Sequence, residues 1–227
     1  MKLIQQKEIA LGTRLFEFEK PRKFVYKAGQ YADLTLPSPK FSDASGATRT
    51  FSFVSAPYEK TLVFATRMRD STFKRSMAKL KAGDRIKLVG PGGSFGHSVS
   101  ADGVHLQEGL SVFIAGGIGI TPFISILRDS FGKNEERPIF LFYSNSGKGE
   151  TVFLEELEGY ASRRENFIFV GAVTEINAKL IQKHLGNFSN ATFYIAGSVA
   201  FVNYARQTVL SLGASDDDIH TDEFAGY

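Results

Sequence analysis

The chain has 227 residues, of which 43% are hydrophobic and 22% charged, and it contains 21 Phe but neither Cys nor Trp. This length allows one large domain or two small ones, and the lack of Cys excludes disulfides, thiolate catalysis and a cysteine-ligated iron–sulfur cluster within these residues. The net charge of +3 hides an asymmetry, since residues 1–105 carry 18 Lys/Arg against 9 Asp/Glu and residues 106–227 carry 9 against 15.

The same composition argues against several classes of protein. No apolar run reaches the ~18 residues of a membrane-spanning helix, and the N-terminal stretch lacks the apolar block of a signal peptide. We therefore expect a cytoplasmic, monomeric protein that does not bind a membrane. The four His show no metal-ligand spacing, so no metal site is predicted. No basic stripe interleaved with aromatics predicts nucleic-acid binding.

The first half of the chain consists of short β-rich segments separated by turn residues. Strands are predicted near residues 2–10, 13–20, 30–36, 49–55, 61–69 and 84–90. Several short strands at this spacing predict an antiparallel β-barrel. One helical pattern at 72–81 interrupts the strands, and a loop after Pro91 runs to about residue 108. We therefore place the first domain at residues 1–107.

The second half, residues 108–227, alternates apolar strands with helical patterns. Strands are predicted near 111–115, 138–144, 167–173, 192–196 and 218–221, and helices near 121–131, 151–160, 178–186 and 198–212. This alternation predicts an α/β domain with a parallel sheet. Ligands of such sheets bind at the carboxyl ends of the strands, where the loops GGIGITP, SNSGKGE, AVTE and AGS are expected.

The glycine-rich turn GGIGITP follows an apolar strand and precedes an amphipathic helix. Glycines allow phosphates to approach the backbone closely, and the start of a helix favours anions. Thr121 is expected to cap the helix, with Pro122 in its first turn. The spacing matches neither GxGxxG nor the P-loop. Taken alone, the turn predicts either nucleotide binding, through Gly116, Gly117, Gly119 and Thr121, or an ordinary strand–helix connection.

A second motif, Arg49-Thr50-Phe51-Ser52, lies in the β-rich run TRTFSFVSAP. Alternation along an unbulged strand places Arg49 and Phe51 on one face and Thr50 and Ser52 on the other. A guanidinium can hold a phosphate, an aromatic can pack on a flat ring, and a hydroxyl can bond a ring nitrogen. Taken alone, this motif equally describes a strand with a solvated arginine.

In this order, the motifs resemble those of the ferredoxin–NADP⁺ reductase superfamily. RTFS is followed by RDSTFKRSMAKLKAGDRIKLVGPGGSF, then by GGIGITP, by Ala196-Gly197-Ser198 and by the C-terminal DEFAGY. The resemblance covers nearly the whole chain. It implies that FAD binds the β-barrel domain and that NADPH or NADH binds the α/β domain.

The resemblance also implies roles for residues around FAD. Arg49 is expected at the pyrophosphate, Phe51 beside the isoalloxazine, and Ser52 near flavin N5. Backbone contacts to the flavin are expected from Thr66, Arg67 and Met68, and contacts to the second side of the pyrophosphate from Phe73, Lys74, Arg75 and Ser76. For Lys74 and Arg75, a solvated helix turn is the alternative.

For NAD(P)H, the resemblance implies contacts from the GGIGITP turn, from Gly197 and Ser198, and near the adenosine ribose from Ser144, Asn145 and Lys148. No acid occupies residues 143–149 to bind a bare ribose diol, which favours NADPH while leaving NADH open. Many family members have Cys at the position of Ala196 and Pro at that of Ser198, so the match is weaker at this turn.

Two features of the C-terminus complete the predicted site. Glu223 matches an acidic position near the flavin, where it could polarise or relay protons, or could cap a surface strand, and Ser52 is the other residue expected to act in catalysis. Phe224 or Tyr227 is expected to cover the flavin face that nicotinamide must reach. The alternative for both aromatics is a frayed terminus.

The reaction implied by the resemblance is hydride transfer from NAD(P)H to FAD, followed by electron transfer to a separate acceptor. The basic first half favours an acidic carrier such as ferredoxin or flavodoxin, although its charge could also be a solvated surface partly neutralised by dinucleotide phosphates. Two alternatives stay open: a flavin or ferric reductase with a diffusible acceptor, and a non-catalytic nucleotide-binding module.

Overall fold

The computed structural model describes residues 1–36, 46–96, 98–100, 103–105, 109–173, 175–186, 188 and 190–224. Within these ranges, none of the helices combines the length and apolar character needed to span a membrane. Tyr227 and the predicted domain boundary at residues 107 and 108 lie outside the described residues, so both stay predictions.

The first half folds into two three-stranded antiparallel sheets, ordered β1-β2-β5 and β4-β3-β6. The strands are β1 Leu3–Ala10, β2 Thr13–Glu19, β3 Tyr31–Thr35, β4 Thr48–Ser52, β5 Thr61–Arg67 and β6 Lys87–Gly92, with helix α1 at Thr72–Ala78. A bridge between Lys2 and Arg85 links the two sheets at one end. The sheets and α1 enclose one largely aromatic core, which includes Phe16, Phe18, Phe51, Phe53, Phe64 and Phe73.

The second half forms a parallel five-stranded sheet in the order β11-β10-β9-β12-β13. Its strands are β9 Leu110–Gly116, β10 Ile139–Ser144, β11 Phe167–Val173, β12 Ala191–Ser198 and β13 Ile219–Phe224. The connecting helices are α2 Thr121–Gly132, α3 Leu154–Ala161, α4 Ala178–Leu185 and α5 Val199–Ser211. Helices α2 and α3 pack in one core with Phe113, whereas α4 and α5 pack in another with Val112 and Ile114. The predicted fold class is therefore confirmed.

Three local predictions were wrong. A short hairpin, β7 Ser98–Ser100 with β8 Gly103–His105, occupies part of the predicted loop. Strand β4 ends at Ser52, not at residue 55, because Phe53 bonds the carbonyl of Gln30 while Val54 bonds that of Val63, so the chain crosses between sheets. Helix α3 begins at Leu154, since Phe153 has a left-handed φ of 60° that excludes it from the helix.

The two halves share a continuous apolar core. Val54, Val63 and Ala65 of the first half pack in the same cluster as Ile118 and Phe123 of the second. A bidentate ion pair between Arg128 and Glu156, with Glu59 of the first half 3.6 Å from Arg128, adds a polar link. This interface holds the carboxyl edge of the parallel sheet close to strands β4 and β5.

Candidate functional site

The three glycines of the GGIGITP turn have different roles. Gly117 has a positive φ of 54°, and a Cβ placed on it would meet no atom within 4 Å. A Cβ on Gly116 would approach the Phe201 ring to 2.6 Å, and one on Gly119 would lie 2.3 Å from the carbonyl oxygen of Ala196. Gly117 is therefore the open position, whereas Gly116 and Gly119 allow close packing against α5 and β12.

The prediction that Thr121 caps helix α2 was wrong. Thr121 is the first residue of the helix, and its buried hydroxyl donates to the carbonyl of Ile118 at 3.0 Å. Thr121 and Gly119 are buried, and they stabilise the turn by packing on its protein side. These two residues can therefore affect nucleotide binding only indirectly, because they set the position of the backbone of the turn.

A cavity of about 220 Å³ opens at the carboxyl edge of the parallel sheet. It brings together several residues that were predicted to bind NAD(P)H, namely Gly116, Gly117, Ser144, Asn145 and Ser198. Three charged residues and one aromatic residue also line it: Arg67, Arg69, Glu150 and Phe201. Arg67 and Arg69 come from the end of strand β5 and the loop after it, in the first half of the chain. The cavity is therefore shared between the two halves of the chain.

Asn145 gives this cavity a buried polar group that a ligand could bond. The residue is only 7% exposed, and within the described part of the chain neither atom of its amide group makes a hydrogen bond of ordinary geometry, although the amide lies near the Tyr143 hydroxyl and partly opposes the rise in the pKa of Tyr143 that burial causes. A buried amide without partners costs about 1–3 kcal/mol. A ribose hydroxyl or phosphate oxygen could supply the missing bond, so the residues present fit a nucleotide.

Ser198, which lines the cavity, and its neighbour Gly197 also have structural contacts. Gly197 lies under Phe201, since a Cβ there would come within 2.8 Å of that ring. Ser198 caps helix α5 by accepting a hydrogen bond from the backbone N–H of Phe201 at 3.3 Å. Lys148 belongs to a 3-10 turn that ends at Glu150, and its side chain is outside the described part of the structure. Phe201 was not identified from the sequence as a cavity residue. Its position three residues after the helix-capping Ser198, in the first turn of α5, could have indicated that it lies near the cavity.

A cluster of cations lies beside the cavity on the first half of the chain. The Lys74 side chain donates to the carbonyl of Arg67 at 2.7 Å. Burial, helped by the charges of Arg69, Arg49 and Arg67, lowers the pKa of Lys74 to about 8. Lys74 is thus no solvated helix residue, and the cluster fits an anionic group such as a diphosphate. Arg75, in contrast, is exposed and pairs with exposed Asp70, as the alternative interpretation expected.

The RTFS strand has the predicted alternation. Arg49 and Phe51 share one face, because the guanidinium lies 5.3 Å from the Phe73 ring centre and the Phe51 ring stacks on it at 5.9 Å. On the other face, the Thr50 hydroxyl donates to Asp33 at 2.5 Å. Phe51 is only 9% exposed, so it offers little surface to a flavin ring, and its place beside the isoalloxazine stays a prediction.

Ser52 contacts Asp222, an acidic residue of the C-terminal strand that precedes Glu223, and the role of Glu223 near the flavin stays a prediction. The Ser52 hydroxyl donates to Asp222 Oδ2 at 3.4 Å, a long hydrogen bond. Burial raises the pKa of Asp222 to about 6, and the bond from Ser52 partly opposes that shift. Glu223 is exposed, because alternation along β13 turns it away from the core side that His220, Asp222 and Phe224 share. That alternation was the signal that could have identified Asp222.

Other predicted residues have structural contacts instead of positions in the cavity. Thr66 is buried in strand β5, Met68 packs against the aromatic core, and Phe73 is buried in that core. The hydroxyl of Ser76 is buried and makes no hydrogen bond within the described part of the chain. Phe224 is partly buried and packs against the core shared by the two halves, so at least this aromatic of the C-terminus is not frayed.

Comparison with known proteins gives consistent matches. The family model described as "Oxidoreductase NAD-binding domain" matches residues 113–207. The toluate 1,2-dioxygenase electron transfer component of Pseudomonas putida is 26% identical over 218 residues, which cover 89% of this chain and 60% of that protein. The chain thus spans about three fifths of the length of this relative.

Solved structures share the fold at low identity. The cytochrome P450 reductase of Amycolatopsis superposes with a TM-score of 0.83 at 23% identity, over 98% of this chain and 68% of the other. A ferredoxin–NADP⁺ reductase from Neisseria gonorrhoeae with bound FAD and NADP superposes with a TM-score of 0.75 at 23% identity, over 98% and 96%. The predicted resemblance and the predicted pair of cofactors agree with these matches.

Proposed function

We propose that the chain belongs to the ferredoxin–NADP⁺ reductase superfamily and that it is an NAD(P)H-dependent flavin oxidoreductase that passes electrons to a separate redox protein. The observation that carries the proposal is one continuous site between the two halves. The glycine-turn cavity adjoins the cation cluster and involves residues of both halves. When bound, FAD supplies the redox chemistry, which is acceptance of a hydride from NAD(P)H and release of electrons to an acceptor.

Arg49 and Lys74 are the residues that we assign to the FAD pyrophosphate. Both belong to the cation cluster, and Lys74 is buried among arginines that disfavour its charge. An anion placed there would relieve this repulsion and would form charge-assisted hydrogen bonds. The relief of an unfavourable charge cluster would thus contribute to flavin binding, and Arg49 would orient the diphosphate.

The NAD(P)H site is assigned to the cavity at the carboxyl edge of the sheet. Gly117 leaves its backbone open to a diphosphate, while Ser144 and Asn145 present polar side chains next to it. Their role is to fix the nucleotide so that its nicotinamide lies against the first half of the chain.

Asp222 and Ser52 form the proton-holding pair of the proposed site. With a pKa of about 6, the Asp222 carboxyl is mostly ionised at neutral pH and becomes protonated in mild acid. The Ser52 hydroxyl donates to it and could pass a proton between this carboxyl and a group bound at the strand end. A general acid or base with a pKa near the working pH is the most effective one.

A separate, acidic carrier protein, such as ferredoxin or flavodoxin, is the acceptor that we propose. The net charge of +9 on residues 1–105 supports electrostatic attraction of such a partner. A relative named as an electron transfer component also supports delivery to another protein. The competing acceptor is a diffusible flavin or ferric complex, for which no charge complementarity is needed.

Asn145 provides the sharpest test of this proposal. Replacing it by Ala removes a buried amide that makes no hydrogen bond of ordinary geometry among the described residues and interacts only with the nearby Tyr143 hydroxyl, so the free energy of unfolding should fall little. Coenzyme affinity should weaken by up to about tenfold, because one hydrogen bond to the ligand is lost.

The measurements are NAD(P)H-dependent reduction of ferricyanide and urea unfolding, with Asn203→Ala on the exposed side of α5 as the control. Asn203→Ala should leave both quantities unchanged. Unchanged coenzyme dependence in Asn145→Ala, or absence of coenzyme-dependent reduction in the wild type, would contradict the proposed function.

A further inference from the structure

An ion pair links the two halves of the chain beside the nucleotide cavity. Arg67, the last residue of β5, reaches Glu150 in the turn after β10, with Nη1 2.8 Å from Oε2. Their side chains are only 17% and 26% exposed. The same turn is held a second time, since the backbone N–H of Leu11 in the β1–β2 hairpin donates to the carbonyl of Gly149 at 2.9 Å. The turn is therefore fastened to the first half of the chain.

Both charged groups of this pair line the cavity that contains Gly117 and Asn145. A dinucleotide that binds there brings two negative charges on its diphosphate. The Arg67 guanidinium attracts these charges, whereas the Glu150 carboxylate repels them. A guanidinium gives its best geometry to one bidentate partner at a time, so the diphosphate and Glu150 compete for the same donor.

We propose that Glu150 is an internal competitor for Arg67 and thereby sets the affinity of the nucleotide site. Without a nucleotide, Glu150 holds Arg67 across the cavity, and a bound diphosphate takes the guanidinium from it. The carboxylate then keeps binding weak enough for the nucleotide to leave. This inference rests on the proposed function, since it assumes that a diphosphate binds beside Gly117.

A double-mutant cycle tests the proposal, with NAD⁺ and NADP⁺ as probes in titration calorimetry. Glu150→Gln keeps the size of the side chain but removes its charge, and it should tighten binding by about fivefold, the worth of a partly exposed ion pair. Arg67→Gln should weaken binding. In the Arg67→Gln background, the gain from Glu150→Gln should shrink, because no guanidinium remains to be released.

Asp216→Asn is the matched control, because it breaks an exposed ion pair with Arg206 and neither residue lines the cavity. It should leave nucleotide affinity unchanged. Thermal unfolding of each variant shows whether the ion pair acts only by holding the two halves together.

Three outcomes would overturn the competition. Equal tightening by Glu150→Gln in both backgrounds would mean that Glu150 only repels the ligand through space. Weaker binding after Glu150→Gln would mean that the carboxylate contacts the nucleotide itself, and unchanged binding would mean that the pair is structural. A wild-type chain that binds neither probe would instead contradict the proposed function.

Discussion

The buried carboxyl of Asp222 makes the stability of the protein depend on pH in a defined direction. Its ordinary pKa of 3.8 is raised to about 6 in the folded chain, chiefly by burial. Below 3.8 the carboxyl is protonated in both states and contributes no difference. As pH rises from 3.8 to 6, the unfolded state ionises first, so the folded state loses stability, and above 6 the loss is complete. At about 1.4 kcal/mol for each pKa unit, this loss is about 3 kcal/mol.

Replacing Asp222 by Asn removes the ionisation and keeps a side chain that can accept a bond from Ser52. We expect the variant to be more stable than the wild type by up to about 3 kcal/mol at roughly pH 8, but by less than about 1 kcal/mol at roughly pH 4. Urea unfolding at the two pH values measures the difference, with and without bound flavin. Glu223→Gln, on the exposed neighbour, serves as the control and should change stability little at either pH.

The test is how the stability difference between wild type and Asp222→Asn changes with pH. The absolute stability of the variant does not decide it. A stability difference between wild type and Asp222→Asn that is the same at both pH values would refute the reasoning, since it would show that the carboxyl is not held in a buried site against Ser52. The sign also matters, because a wild type that is more stable than Asp222→Asn at high pH would mean that the ionised form is favoured in the fold.

Three further changes test other parts of the site. Arg49→Ala should weaken flavin binding by about 10- to 100-fold, because a charge-assisted contact is lost; purified protein that keeps one flavin per chain would contradict the assignment. Gly117→Val should raise the coenzyme concentration needed for reduction without releasing flavin, because its side chain enters the cavity, although strain at the positive φ also lowers stability, whereas Gly119→Ala should lower stability by meeting the Ala196 carbonyl; equal loss of flavin in both would mean that the fold had failed. Reduction of an acidic carrier should slow steeply with added salt, and reduction of ferricyanide should change less; rates that do not respond to salt would favour a diffusible acceptor.

Residue periodicity was enough to predict the layers of the fold. The continuous apolar run at Val112–Ala115 predicts a strand buried on both sides, and the structure places Val112 and Phe113 in cores on opposite faces of the sheet. The end of β4 could not be predicted in the same way, because Phe53 and Val54 keep the apolar pattern of a strand while their hydrogen bonds pass to two different sheets.

Some features of the candidate site could likewise be predicted from local sequence, whereas others depend on tertiary packing. The motif Gly116–Thr121 locates the nucleotide turn from local sequence, but only the packed structure separates open Gly117 from Gly119, which is pressed against Ala196. Arg67 and Glu150 are 83 residues apart in the sequence, and no local pattern brings their side chains together. Contacts between the two halves depend on how the sheets are docked, so sequence patterns within either half do not predict them.

An anaerobic titration of the purified protein, followed by its visible absorbance, tests the central claim most directly. We expect the protein to carry one non-covalent flavin, and we expect stoichiometric NADH or NADPH to bleach the flavin absorbance, which returns on addition of an oxidised acceptor. A protein that binds no flavin, or whose bound flavin keeps its absorbance in excess of both coenzymes, would contradict the assignment of the site between the two halves of the chain.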